Sequence, residues 1–83
     1  MEVILVDAEN SIEHFVAKAK EALAQHPHIE IKGKGRDTVK AVDVAEILKI
    51  EGFKTGKIVT HTDEEQREGK ALRTSSIMIE IQK

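Results

Sequence analysis

Cysteine, tryptophan and tyrosine are absent from this sequence of 83 residues, and proline occurs once. Without cysteine there can be no disulfide framework, no thiolate zinc site and no catalytic thiol. The sequence therefore does not indicate whether the protein works in an oxidising or a reducing compartment. The only aromatic residues besides histidine are Phe15 and Phe53. The core must therefore be aliphatic, and the aromatic platforms on which many single-strand-binding proteins stack bases are excluded.

Long hydrophobic runs are also absent. The apolar run within residues 1–10 is too short for a signal peptide or a membrane span, so we expect a soluble, cytoplasmic protein with no membrane partner. A chain of 83 residues predicts a single domain over residues 1–83. A domain of this size buries only roughly 60 to 65% of the surface that its unfolded chain exposes, so its core is small.

The charge balance is slightly acidic, with 13 lysines and arginines, 15 aspartates and glutamates, and a formal charge of -2. Nonspecific nucleic-acid binding normally needs a cationic field, which this total does not supply. The charges are nevertheless segregated: acids gather in residues 2–13 and in Asp63–Glu68, and bases gather in Lys32–Lys40. A local basic surface is compatible with the negative total.

The first third of the chain predicts a strand and a helix. The apolar run Glu2–Asp7 is typical of a buried strand, and Asn10 with Glu13 forms a candidate capping box that starts a helix. Pro27 ends this helix near residues 25–26. The apolar positions that recur at helical spacing are Ile12, Phe15, Val16, Ala19, Ala22 and Leu23.

The rest predicts a strand, a helix and two further strands. Alternation over Ile29–Lys34 indicates a strand with one wet face. A second helix begins with Asp37 or Thr38 as its cap and ends at Gly52. Its apolar face is assigned to Val39, Val42, Ala45 or Ile47, Leu48 and Phe53, broadened by Val44, Ile47 and Ile50. The width of this face allows either burial between sheet and first helix or contact with a second subunit, and we favour the second subunit.

The last two strands are predicted over Lys57–Thr62 and Leu72–Gln82, joined by a polar hairpin tip at Asp63–Ala71. In the final strand Ile77, Ile79 and Ile81 should point inward. The resulting order βαβαββ, with two helices over one sheet, predicts an α/β two-layer sandwich.

The junction between the second strand and the second helix has the composition of a phosphate-binding site. Gly33 and Gly35 remove side chains where backbone could approach a ligand, and Lys34, Arg36 and Lys40 place cations around a helix amino end that itself attracts anions. Together with Lys32 these cations could instead form a solvent-exposed charged edge that binds nothing. From charge alone, such an edge is the more common interpretation.

The order of these segments resembles the archaeal Alba family over nearly the whole chain. The stretch KGKGR at positions 32–36 is followed by KAVDVAEI, and the last strand reads RTSSIMIEI. The matching positions are Gly35, Arg36, Lys40, Ala41, Val42, Asp43, Glu46, Ile47, Ser75 and Ile77. The resemblance implies the Alba fold, which is similar to the C-terminal domain of translation initiation factor 3.

The resemblance further implies a homodimeric, nucleoid-associated protein that binds duplex DNA or structured RNA without reading sequence, in chromatin or in a ribonucleoprotein. Its nucleic-acid-binding residues would be Lys32, Lys34, Gly35, Arg36 and Lys40 at the centre. Arg67, Lys70 and Arg73 would lie at the periphery, on a hairpin arm that looks shorter than the arm of the family. Acids at Asp63, Glu64, Glu65 and Glu68 would weaken that arm by repelling phosphate.

The loop after the first strand departs from the family pattern. Where the family places Gly-Lys-Lys-Pro, this chain has Asp7, Ala8, Glu9 and Asn10, so the lysine pair and its acetylation site are missing. This acidic corner and the acidic total support a second hypothesis, an Alba-like protein-interaction or regulatory module with weak or no nucleic-acid binding. The chain's opening and size also resemble the bacterial stage V sporulation protein S.

Catalytic and metal-binding patterns are not apparent. The serines lie in no nucleophile motif, and Asp43 with Glu46 is better explained as helix surface charge. The pair His26 and His28 lacks further placed ligands for a closed zinc site, which uses four. We therefore expect neither an enzyme nor a bound metal or cofactor.

Overall fold

The computed structural model describes residues 2–83 and contains the predicted succession of strands and helices. The elements are β1 (Glu2–Leu5), α1 (Ile12–Leu23), β2 (His28–Lys34), α2 (Asp37–Ile50), β3 (Lys54–Arg67) and β4 (Lys70–Gln82). They build a two-layer α/β fold, as predicted. No helix among these residues is long and apolar enough to cross a membrane.

The four strands form one sheet in the order β1-β2-β4-β3. β1 pairs with β2 in parallel, as expected for strands joined through a crossover helix, and the other neighbours are antiparallel. Both helices cover the same face of the sheet. The buried side chains between the layers include Ile4, Phe15, Leu23, Ile29, Ile31, Val44, Leu48, Ile79 and Ile81, so the core is aliphatic apart from one phenylalanine.

The amino end of α1 differs by one residue from the prediction. Ser11, rather than Asn10, is the N-cap, and its Oγ accepts a hydrogen bond of 3.1 Å from the His14 main-chain N–H. The Asn10 amide instead donates to the Asp7 carboxylate at 3.2 Å. The proposed capping box is therefore wrong, because Asn10 belongs to the loop before the helix.

The carboxyl end of α2 is the predicted glycine stop. The Phe53 N–H donates to the Leu48 carbonyl oxygen and the Gly52 N–H to that of Lys49, each at 3.1 Å, which is a Schellman motif. The wide apolar face predicted for α2 is only partly covered by the rest of the chain. Its buried residues are Ala41, Val44, Ala45 and Leu48, whereas Val39, Val42 and Ile50 are exposed.

β3 and β4 form a protruding hairpin, and both strands are longer than the sequence predicts. Residues 63–67 and 70–71 pair as strand, so the tip contains only Glu68 and Gly69. Both tip residues have positive φ, 52° and 75°, as in a two-residue type I′ turn. The hairpin contributes to the elongated shape, 47 × 24 × 20 Å. Its outer half is exposed on both faces, which is why no apolar alternation marked it as strand.

Candidate nucleic-acid interface

The turn between β2 and α2 holds Lys34 and Arg36 at the surface. Gly35 lies between them with φ of 60°, a conformation that strains residues with a side chain. Its N–H donates to the Ser75 carbonyl oxygen at 2.7 Å, and its own carbonyl oxygen accepts from the Thr38 hydroxyl at 3.0 Å. The backbone of the turn is thus fixed from both sides, while Lys34 and Arg36 remain exposed.

Gly33 has a packing role rather than a place at the surface. A Cβ added there would lie 2.5 Å from the Asp37 carbonyl oxygen and 2.9 Å from the Ala41 Cβ. The first turn of α2 therefore rests directly on the β2 backbone. The expectation that Gly33 allows a ligand to approach is wrong, because the close neighbour is the protein's own helix.

Arg36 is the N-cap residue of α2 and makes no side-chain capping bond. The prediction of Asp37 or Thr38 as the cap was wrong by one or two residues: Asp37 is already helical, and Thr38 bonds backward to Gly35. The guanidinium of Arg36 is exposed beside the positive end of the helix dipole. An anion at this position would meet both the guanidinium and the helix dipole.

Lys40 lies in a different environment from the other cations. Its ammonium donates to the main-chain oxygens of Asp7 at 2.8 Å and Asn10 at 3.0 Å. These bonds join α2 to the loop between β1 and α1. Because an ammonium has three N–H donors, one donor remains for another acceptor.

The loop of residues 6–11 carries an ordered carboxylate. The Asp7 carboxylate accepts from the Glu9 N–H at 3.0 Å, the Asn10 N–H at 3.1 Å and the Asn10 amide. Loss of water contact acts to raise the pKa of Asp7, but the Asn10 and Glu9 hydrogen bonds and the Lys40 charge together hold that pKa below its usual range. Asp7 therefore carries its negative charge close to α2, with Glu9 exposed beside it.

Lys32 and Lys34 extend from the sheet on the side opposite the helices, since they alternate with Ile31 and Gly33 along β2. The Lys32 ammonium lies 3.9 Å from the Glu30 carboxylate, an exposed pair of the kind that contributes little to stability. The four central cations are therefore divided among three places. Lys32 lies on the open sheet face, Lys34 and Arg36 flank the turn, and Lys40 lies under the loop.

Three cations in the outer half of the hairpin, which we call the arm cations (Arg67, Lys70 and Arg73), lie among acids. Arg67 Nε is 3.1 Å from a Glu65 carboxylate oxygen, and Arg73 Nε is 3.9 Å from one of Glu64. Both pairs are largely exposed, so solvent screens them. The arm is close to neutral, but its guanidinium groups are free to exchange partners.

The sequence patterns did not predict the apolar groove that lies between α2 and the hairpin. Its walls include Val39, Val42, Thr60 and Ile77, and it encloses about 410 Å³. Val39 is 67% exposed and Val42 is 39% exposed. The wide apolar face predicted for α2 was the available signal, but periodicity alone did not show which part of that face the sheet covers.

These features define a class: a small two-layer α/β protein with a basic strand-to-helix turn and a projecting hairpin arm. The Alba family model matches residues 2–63. The chain therefore belongs to the Alba family, as its motifs predicted. None of the curated proteins matches the sequence.

Two solved structures are similar to this chain over almost its full length. Alba from Thermoplasma volcanium is 30% identical with a TM-score of 0.78, and the match covers 99% of this chain and 100% of that one. ALBA1 from Trypanosoma brucei has a TM-score of 0.82 at 24% identity, covering 99% of this chain and 68% of that one. The second likeness is one of fold.

Proposed function

We propose that this protein binds duplex DNA or structured RNA through the phosphate backbone, without reading sequence. The observation that carries the proposal is the exposed pair Lys34 and Arg36 on the rigid turn at the start of α2, in a chain of the Alba family. Phosphate contacts fix position and supply affinity but carry no base information. The role is one of binding, with no catalytic step.

In this proposal the turn forms the centre of the contact. The planar guanidinium of Arg36 donates two hydrogen bonds to phosphate oxygens, and the Lys34 ammonium adds a point charge. Gly35 has no side chain, so the backbone of the turn can approach the phosphate closely. Lys40 contributes through its remaining donor and its charge. Lys32 lies at the margin of this surface, and the arm cations extend the contact along the nucleic acid.

We further propose that the protein is a homodimer. The groove lined by Val39 and Val42 leaves apolar side chains in water, and a second copy placed around a two-fold axis would cover the same groove on both subunits. A dimer would present two turns and two arms to one duplex. Simultaneous engagement of both raises the overall affinity without new kinds of contact.

Binding should be weaker than for an Alba protein with a basic loop at residues 7–10. Asp7 and Glu9 place negative charge beside the start of α2, and the arm carries acids along with its cations. Affinity then depends on few phosphate contacts and falls with salt. Association with the nucleoid or with a cytoplasmic ribonucleoprotein is the cellular role that we propose.

The test is fluorescence anisotropy with a labelled DNA duplex and a structured RNA across a salt series. The double variant Lys34→Glu/Arg36→Glu should weaken binding at least about tenfold and reduce the slope of log affinity against log salt by about 2, since each lost phosphate contact removes about 0.9. The control Lys18→Glu/Lys49→Glu changes the charge equally at exposed helix positions elsewhere.

Equal losses in the two double variants would mean that only net charge matters, and the turn would not be the binding site.

A specific observation favours a second candidate, since the acidic loop and the nearly neutral arm are poor phosphate ligands. If the unmodified chain binds neither nucleic acid at low salt, it is instead a protein-interaction module of the Alba fold.

A further inference from the structure

Three neighbouring rows of side chains run across the strands on the sheet face opposite the helices, and the row beyond them contains His28, Gln82 and Lys54. The strand register places Leu5, Lys32, Met78 and Val59 side by side in the middle row. The row on one side contains Val3, Glu30 and Glu80, and the row on the other contains Lys34, Ser76 and His61. We call this surface the open face. It is apolar in the middle, acidic along one side and basic along the other.

The middle row is exposed apolar surface on the side of the sheet that no helix covers. Leu5 is 68% exposed and Val59 is 39% exposed, with Met78 half-buried between the neighbouring strands. Together with the stem of Lys32 they line a groove of about 500 Å³. A long lysine stem adds apolar contact area while its ammonium stays in water.

The acidic row contains an unfavourable arrangement that a cation would relieve. Glu30 and Glu80 are direct cross-strand partners, and like charges in such positions destabilise a sheet. Two neighbours compensate in part: the Gln82 amide donates to Glu80 at 2.7 Å, and Lys32 lies 3.9 Å from Glu30. The pair still offers an anionic site to a partner.

The basic row is formed by Lys34, with His61 at its far end. The His61 imidazole lies 2.9 Å from the Asp63 carboxylate, so His61 is oriented along β3. Lys34 is exposed and is the cation of this row. The open face therefore has opposite charges on opposite sides of one apolar stripe.

We propose that the open face docks an amphipathic helix of a partner protein whose leucine-like stripe is flanked by basic residues on one side and acidic residues on the other. Adjacent strands lie about 4.8 Å apart, and helix positions three or four residues apart are separated by about 4.5 to 6 Å along the axis. Four successive apolar helix residues, one for each strand, can thus meet Leu5, the Lys32 stem, Met78 and Val59. Basic residues on the flank then face Glu30 and Glu80, and acidic ones face Lys34.

Single-stranded nucleic acid fits this face less well. Bases usually stack on aromatic rings or arginine, and the middle row is aliphatic apart from Lys32. Phe15 is buried in the core and Phe53 packs on the helix side of the sheet. Phosphates crossing the sheet would also meet the Glu30 and Glu80 pair. The proposal does not depend on the nucleic-acid function, because its main contact is the apolar row and it shares only Lys34 with the turn.

The test uses three synthetic helical peptides of about 18 residues with the same leucine stripe. One has a glutamate flank and a lysine flank, one has glutamate on both flanks, and one has lysine on both. Methyl NMR of the full chain should show the mixed peptide shifting Leu5, Val59 and Met78. It should bind about tenfold more tightly than either single-sign peptide.

Two variants of the protein sharpen the test. Leu5→Ser/Met78→Ser should weaken the mixed peptide at least about tenfold, whereas the control Ile50→Ser removes an exposed apolar side chain from the helix layer and should leave peptide binding unchanged. Glu30→Lys/Glu80→Lys should make the all-glutamate peptide the tightest ligand. Thermal unfolding of each variant confirms that it is folded, and its duplex affinity is measured in parallel.

Several results would overturn the proposal. Peptide-induced shifts at Val39 and Val42, or no shifts at all, would place docking elsewhere. If an unstructured oligo-uridine shifts the same methyl groups and displaces the peptide, the face binds nucleic acid. If Leu5→Ser/Met78→Ser lowers the mass measured by sedimentation, the face is covered by a second copy. Arg36→Glu changes the turn at a residue outside the open face, so weaker duplex binding in that variant, with the Leu5 and Met78 shifts retained, separates the two proposals.

Discussion

The Lys40 ammonium donates a 2.8 Å hydrogen bond to the main-chain oxygen of Asp7, a residue 33 positions earlier in the chain. A second bond, of 3.0 Å, goes to the main-chain oxygen of Asn10. The helix after the basic turn is thereby tied to the loop after the first strand. A lysine at this position stabilises the protein whether or not a ligand is bound.

Lys40→Met should lower the free energy of unfolding by about 1–3 kcal/mol, because two half-buried carbonyl oxygens lose a charged donor. Urea denaturation measures this change. The control Lys18→Met removes an exposed cation from α1 and should shift stability by no more than about 0.5 kcal/mol. Equal effects of the two substitutions would show that the bonds to the loop contribute nothing.

Asp7→Asn should remove an acid-sensitive part of the stability. The pKa of Asp7 in the folded chain lies below its ordinary value of 3.8, so the ionised carboxylate favours the folded state above about pH 4. That contribution disappears as the pH falls through the folded pKa. The difference in free energy of unfolding between the natural chain and the variant should shrink as the pH falls from 6. Asp43→Asn serves as the control. A difference that stays constant with pH would contradict a stabilising role of the Asp7 carboxylate.

Gly33→Ala should cost more than either Gly35→Ala or Gly69→Ala. A methyl group at position 33 would be pressed against the Asp37 carbonyl oxygen, and overpacking of this kind costs about 1–3 kcal/mol. Gly35 and Gly69 both have positive φ and open space around the added Cβ, so alanine there adds about 1 to 2 kcal/mol of backbone strain. Thermal unfolding of the three variants gives the order, and a mild effect at position 33 would mean that α2 moves away easily.

Val39→Glu/Val42→Glu should convert the proposed dimer into a folded monomer, since charged side chains cannot be buried unpaired across a two-fold axis. Sedimentation at micromolar concentration gives the mass, and duplex affinity should fall at least about tenfold as bivalent contact is lost. Ile50→Glu, at an 82% exposed position, is the matched control. A natural chain that sediments as a monomer would exclude the dimer.

Glu64→Gln/Glu65→Gln should strengthen duplex binding and steepen its salt dependence if the arm touches phosphate. The two substitutions release Arg73 and Arg67 from their carboxylate partners, and each added phosphate contact raises the slope by about 0.9. Glu13→Gln/Glu21→Gln, on exposed positions of α1, makes the same change of charge away from the arm. Identical gains from both pairs would assign the effect to net charge.

The element order followed from local patterns that act over a few residues. Alternation marked β2, helical spacing marked α1, and Gly52 marked the end of α2. The arm was misjudged because strand residues exposed on both faces show no apolar alternation, and cross-strand pairing alone extends β3 to Arg67. The Asn10 cap was misplaced because Asp7, three residues before it, attracts its amide.

The candidate site was predicted as a composition and not as a geometry. Residues 32–40 are rich in cations, as the sequence shows. Side chains alternate between the two faces of the sheet along β2 and rotate about the helix axis along α2, so these cations do not all lie on one surface. Lys32 therefore lies on the open face, and Lys40 lies under the loop. Neither the like-charge pair Glu30 and Glu80 nor the apolar row beside it is visible until the register of the sheet is known.

The sequence by itself determined the family, the succession of elements, the aliphatic core and the cluster of cations around residue 35, because motifs and periodicities are local properties of the chain. Only the tertiary structure decided what each cation faces, that Gly33 accommodates a helix, and that Leu5, Met78 and Val59 form one row. These relationships join residues far apart in sequence, and strand pairing and layer packing set them.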